Sequence, residues 1–393
     1  MTPSRVPSRF LVTPEAGRRF GDRLDRLAPY LTRVDPLADA VVEAFAALPP
    51  GEGFRRLERA LTDGIGAVDG APPALRALFE RVDRIPFWVD WAAVERGGRA
   101  FLRAGPLGGI VLGLESLVLG YASPGGNKPL VFSGRLQEQA PRRLGETSRF
   151  VHAVSQAGGL RRSGDGLAIT VKVRVMHAQV RRLLWQSGNW SVEPWGEPVN
   201  QHDMIGTILL FSVAMLDGFD KLGYRLAPRE AEDLMHLWRY VGYLIGVEEE
   251  LLPASRAEAL ETAAMIHATQ GAPDDDARAL VSALLESPLR GARTEEQRRA
   301  VRRRMPVIYG LCRALIGGEL ADRLAVPSSP WGRAIPALRP LASAAALANR
   351  LPVWRDLALD RGDRYWRTTV AEGLGRTPTN FAPPERFMRP AAQ

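Results

Sequence analysis

The stretch Leu-Ala-Ile-Thr-Val-Lys-Val-Arg-Val-Met-His-Ala-Gln-Val-Arg-Arg-Leu-Leu, residues 167–184, can be read in two ways, and the choice decides the fold class. Residues 169–175 alternate apolar and polar side chains at period two, the pattern of a half-buried strand. Over the longer span, Ile169, Val173, Met176, Val180 and Leu184 fall on one stripe at helical spacing. As a helix, the segment puts Arg174, His177 and Arg181 on a shared face at i−3, i and i+4. A neutral imidazole between two guanidinium forks offers what a haem uses, an axial ligand for iron and partners for the propionates. The same spacing also suits an ordinary hydrogen-bonded core histidine, and spacing alone does not choose.

The segments on either side favour the helix. Helical periodicity is read over 135–157, 203–222, 228–247, 254–269, 275–285 and 295–316, with Gly/Pro breaks between them. Residues 14–65 read as helices broken at Asp35-Pro36 and Pro49-Pro50-Gly51. Asp90 is positioned to cap a helix over 91–104, and the glycine-containing apolar run 107–121 follows Gly105-Pro106. Segments 123–128, 187–198 and the tail after Thr377 read as irregular, and 334–350 as an Ala-rich apolar helix. The expectation is an all-α protein, with strands near 129–133 and 168–175 as the competing assignment. No long linker interrupts the chain, so 1–393 is expected to form a single helical domain.

Composition removes several function classes. The 46% apolar and 24% charged fractions are those of a globular protein. The net charge of +8 resides almost wholly in arginine, the only lysines being Lys128, Lys172 and Lys221. These arginines are interspersed with Asp and Glu rather than gathered in a stripe, so no nucleic-acid partner is expected. With Cys312 the only cysteine, disulfide frameworks, Cys-based zinc sites and covalent haem attachment are excluded. Neither a secretory signal nor a membrane span is visible, which points to a cytoplasmic protein.

Three further clusters bear on chemistry. In Arg142-Arg143-Leu144-Gly145-Glu146-Thr147, helical spacing turns Arg143, Glu146 and Thr147 the same way. They could form a solvated charged face, or hydrogen-bond iron-bound oxygen opposite an axial ligand. In Trp195–Asp203, Asn200 and Asp203 suit a helix N-terminus better than His202 and Asp203 suit a metal. Asp233 and His236, at i and i+3, resemble half of a bundle-core di-iron site whose second copy is absent. Phosphate-loop, nucleophile-elbow and zinc-helix motifs are missing.

Taken in order, Arg-Arg-Leu-Gly-Glu-Thr-Ser-Arg-Phe (142–150), Val-Lys-Val-Arg-Val-Met-His-Ala-Gln-Val-Arg (171–181), Trp-Gly-Glu-Pro-Val-Asn-Gln-His-Asp (195–203) and His-Leu-Trp-Arg-Tyr-Val-Gly-Tyr-Leu-Ile-Gly-Val (236–247) resemble the MpaB-type oxygenases, relatives of the latex-clearing rubber oxygenases. The resemblance covers roughly residues 80–320. It implies an all-α fold with a globin-like core holding haem b. It also implies His177 as the iron ligand with Arg174 and Arg181 beside it, and Arg143, Glu146 and Thr147 on the distal side. The implied reaction uses dioxygen to cleave or oxidise a carbon–carbon double bond of an apolar substrate such as an isoprenoid. Two departures stand out. Glu146 occupies a position where rubber oxygenases carry a lysine that caps iron. The upstream acidic base of those enzymes falls on Asn127, which accepts no proton, so that role is lost or moved to Glu146. The alternatives are a haem-binding sensor or carrier without turnover, and a non-haem metal enzyme using Asp233 and His236. Substrate identity and oligomeric state are not legible.

Overall fold

The computed structural model describes residues 6–132 and 136–375, and the segment that opened the reading is one uninterrupted helix. The helices that frame the candidate site and its packing, in chain order, are α1 (Pro36–Ala46), α2 (Trp91–Ala104), α3 (Pro106–Tyr121), α4 (Leu136–Ser155), α5 (Asp165–Ser187), α6 (Gln201–Phe211), α7 (Val213–Leu222), α8 (Pro228–Ile245), α9 (Arg256–Ala268), α10 (Asp275–Leu285), α11 (Glu295–Ile316), α12 (Ile335–Ala348) and α13 (Pro352–Leu374). Further helices, among them Glu52–Asp63 and Pro73–Asp83, join them, and no strand occurs among the described residues. The fold is all-α, and residues 168–175 lie inside α5. Val171 and Val175 are completely buried there, so the alternation that mimicked a strand is an apolar helix crossed by Lys172 and Arg174.

Local chemistry sets the helix ends. The Asp90 side chain accepts from the N–H groups of Ala92 and Ala93, and Asn200 from that of Asp203, as N-caps do. Thr294 and Gln297 form a reciprocal capping box at the start of α11. The expected helix over 203–222 is two, α6 and α7, parted at Ser212, whose hydroxyl bonds back to the Ile208 carbonyl. The π-helical turn Leu112–Ser116 inside α3 was not anticipated.

Helix α13 has no counterpart in the sequence reading, because its inward face carries little apolar signal. Only Gly362 and Trp366 are buried on it. Trp366 stacks on Phe101 of α2 with ring centroids 5.1 Å apart. Gly373 lies against Gly145 of α4, where a Cβ on Gly145 would sit 2.7 Å from the Gly373 carbonyl carbon. The tail after Thr377, expected to be irregular, lies outside the described residues.

Helix α2 is the centre of this packing, with α8 on one side and the end of α4 on another. Adjacent glycines allow both approaches. A Cβ on Gly97 would meet the Asp233 carbonyl oxygen at 2.3 Å, and one on Gly98 the Ser155 carbonyl oxygen at 2.3 Å. Gly97→Ala must therefore push α2 and α8 apart, and we expect a loss of about 1–3 kcal/mol in denaturant unfolding. Gly66→Ala, which meets nothing within 4 Å, is expected to stay within about 0.5 kcal/mol of the parent.

Candidate functional site

Helices α4 and α5 pack against each other, and the expected site residues divide between them. On α5, Nδ1 of His177 is buried without a hydrogen-bond partner, an uncommon state for a buried imidazole nitrogen. Burial and the neighbouring Arg181 charge lower its pKa to about 4, against a smaller opposing effect of Asp35. The ring is therefore neutral at ordinary pH, the form that ligates metal.

The flanking arginines face a different partner. Arg174 donates from Nε and Nη2 to the two carboxylate oxygens of Asp35 at 2.6 and 2.9 Å, and from Nη1 to the Leu244 carbonyl at 3.3 Å. Arg181 Nε donates to Asp39 at 2.8 Å, and its Nη1 donates to the Val199 and Pro198 carbonyls at 2.7 and 3.2 Å. Both forks are thus occupied by α1 carboxylates instead of standing open for a propionate; only Nη2 of Arg181 is left without a partner. Asp35 and Asp39 escaped the sequence reading, which saw Asp35 only as part of a helix break. Asp35 does that as well, capping α1 at the Ala38 N–H.

On α4, Arg143, Glu146 and Thr147 are all half-buried. Glu146 accepts from Arg142 Nε at 3.2 Å. Among the described residues, neither the Arg143 guanidinium nor the Thr147 hydroxyl has a hydrogen-bond or ion-pair partner. Other helical threonines here, Thr170, Thr207 and Thr262 among them, bond to the carbonyl four residues back. Thr147 does not, so its hydroxyl is free to meet another group.

The residues present fit a haem. They offer a neutral, orphaned imidazole on one helix, and an unpaired cation and hydroxyl on the helix packed against it. They do not fit the non-haem alternative. Asp233 is held bidentate by Arg96 at 2.7 and 2.8 Å, and His236 Nε2 accepts the Asp90 N–H at 2.9 Å. Among the described residues no group of three or more His, Cys, Asp and Glu could hold a metal.

The remaining candidates are structural. Asn127 is fully buried and donates through Nδ2 to the Tyr121 carbonyl at 3.0 Å. Asp203 accepts from Arg9 at 2.7 Å; burial opposes its ionisation, but Arg9 and His202 hold its pKa down to about 2. A cavity of about 200 Å³ beside it is lined by Arg9, Phe10, Ser123, Gly125, His202 and Thr269, away from α4 and α5. Glu115 was read only as an interruption of an apolar run. It is buried in the π-helical turn, takes a 2.6 Å bond from Lys221, and burial pushes its carboxyl up to about 8. Such turns recur at functional sites.

Comparisons with known proteins bear on the family and the fold. A family model described as "ER-bound oxygenase mpaB/B'/Rubber oxygenase, catalytic domain" matches residues 97–350. The match includes α4 and α5 and leaves out α1 with Asp35 and Asp39. Rubber oxygenase of Streptomyces sp. (strain K30) is 27% identical over 263 residues, 66% of this chain and 62% of that protein. The chain therefore spans less than two thirds of that relative's length. The solved structure of latex clearing protein LCP in its closed state shares the fold. It has a TM-score of 0.67 at 22% identity and covers 87% of this chain and 91% of that one.

Two outcomes are expected from this geometry. Arg174→Ala leaves the Asp35 charge buried and unpaired, and costs about 3–5 kcal/mol in denaturant unfolding, most of it recovered when Asp35→Ala is added. His177 has a folded pKa below its unfolded one. Its contribution to the stability of the haem-free protein is complete above pH 6.5 and lost as pH falls through about 4. The thermal midpoint of His177→Leu should accordingly fall less over that window than the parent's.

Proposed function

This chain belongs to the MpaB/rubber oxygenase catalytic-domain family, and from that premise we propose that it is a haem b-dependent oxygenase acting on a carbon–carbon double bond of an apolar substrate. The observation that carries the reading is the His177 imidazole, neutral and without a hydrogen-bond partner for its buried Nδ1, on a helix packed against the one bearing Arg143 and Thr147, which have no partner among the described residues. His177 would hold the iron. Haem bound there supplies the centre at which dioxygen is activated. Arg143 and Thr147 supply hydrogen-bond donors on the neighbouring helix, and Glu146 a carboxylate to accept a proton where Asn127 has none to accept. Arg174 and Arg181 act on the helix rather than on the cofactor, fixing the rotation of α5 through Asp35 and Asp39.

The substrate proposed is a small isoprenoid-type alkene. Glu146, where rubber oxygenases carry a lysine, favours an open distal side over one closed by an amine. The test is the visible absorption spectrum of the purified protein, with and without added hemin, beside His177→Ala and followed by oxygen uptake with isoprenoid alkenes. A Soret band that disappears or shifts in the variant is expected, with oxygen consumption dependent on alkene. A protein that shows no Soret band even with hemin would refute the reading. A band untouched by the substitution would refute His177 as ligand.

A further inference from the structure

The corner where α12 turns into α13 carries apolar surface that no described part of the fold covers. Leu341, Leu347, Leu351, Val353 and Trp354 are each more than half exposed, and Leu357 lies one turn beyond. The inward side of α12 meets the body of the protein. Ile335 is buried, Ser343 donates to the Gly223 carbonyl at 2.8 Å, and just past the helix Asn349 donates to the Tyr224 hydroxyl at 2.9 Å. Its outward side shows Pro340, Leu341, Ala344, Ala345 and Leu347, with no charge among them. Every residue from Arg350 to Leu357 is exposed, so the corner projects instead of forming a groove. Single exposed leucines are ordinary, whereas a contiguous projecting cluster marks an interaction surface.

The charge around it is predominantly positive, with Asp356 the one acid in the corner itself. Between Asp322 and Asp356 the sequence contains no acidic residue, while Arg323, Arg333, Arg339, Arg350 and Arg355 all lie there. Among the described residues Arg333, Arg339 and Arg350 have no ion-pair partner, and Arg355 faces only its neighbour Asp356 at 3.5 Å. A second copy of the chain would set these arginines against each other across a two-fold axis. A convex tip also offers little of the flat area that a stable protein interface buries. A bilayer meets neither objection. It accepts a convex apolar tip, its phosphates complement arginine, and its headgroup region suits an indole ring such as that of Trp354.

We propose that the α12–α13 corner is a docking surface for an anionic lipid bilayer, with Leu347, Leu351, Val353 and Trp354 entering the acyl boundary and Arg350 and Arg355 meeting lipid phosphates. The contact proposed there is peripheral, and no single described helix is long and apolar enough to cross a membrane. The test is co-sedimentation of the full chain with vesicles of phosphatidylcholine alone and of phosphatidylcholine containing about a quarter phosphatidylserine. The expected result is binding to the anionic vesicles that is about ten-fold stronger than to the neutral ones and weakens with salt. Leu351→Ser with Trp354→Ser, and separately Arg350→Glu with Arg355→Glu, should each reduce it about ten-fold. All four positions are exposed, so the thermal midpoint should be unchanged. Equal binding to both vesicles, no binding to either, or binding that survives the substitutions would overturn the proposal. A dimer in light scattering that the Leu351/Trp354 variant dissolves, without vesicle binding, would assign the corner to a second copy of the chain instead.

Discussion

Two buried ion pairs, Arg174 with Asp35 and Arg181 with Asp39, fix α5 in its place, and the position of His177 follows from them. Desolvating a guanidinium and a carboxylate costs about as much as their attraction returns, so such pairs add little net stability. What they add is selectivity among arrangements. Rotating α5 or sliding it along α1 would strand a charge in a dry interior, a far larger penalty than the pair's net worth. Because Arg174 and Arg181 lie seven residues apart on one helix and bracket His177, the two pairs together define both the rotation and the height of the imidazole. Burial, helped by the adjacent guanidinium of Arg181, then keeps that imidazole neutral.

Much of the helical framework was legible because its signals are local. Asp90 and Asn200 act as the N-caps their positions imply, and the bounds of 275–285 and 295–316 coincide with α10 and α11. The features that escaped are non-local or lack an apolar signature. α13 packs through glycine and one tryptophan, so hydrophobic periodicity is silent about it. Asp35 and Asp39 lie well over a hundred residues from their partners, and no spacing rule reaches that far. The pairing also changes the reading of Arg174 and Arg181, since their i−3 and i+4 positions suited haem propionates and α1 alike. Sequence spacing located the face they share but not the element opposite it.

Glycine governs how closely the helices behind the site approach. Gly97 and Gly98 let α8 and α4 press onto α2 at backbone distance, and Gly145 lets α13 do the same to α4 midway between Arg143 and Thr147. At such contacts the van der Waals surfaces of main chains meet directly, so the spacing is set by covalent geometry and not by adjustable side chains. Helix α4 is thereby gripped on the side opposite Arg143 and Thr147.

The family match begins at residue 97, whereas Asp35 and Asp39 lie some sixty residues before it. A fragment cut at the boundaries of homology would retain both buried arginines of α5 and lose both of their counter-charges. It would also lose α13, which ends beyond residue 350. The unit tied together by these buried charges is thus larger than the unit recognisable by descent. A transplant of the family-matched region into another protein would have to bring along the N-terminal helix that carries these two counter-charges.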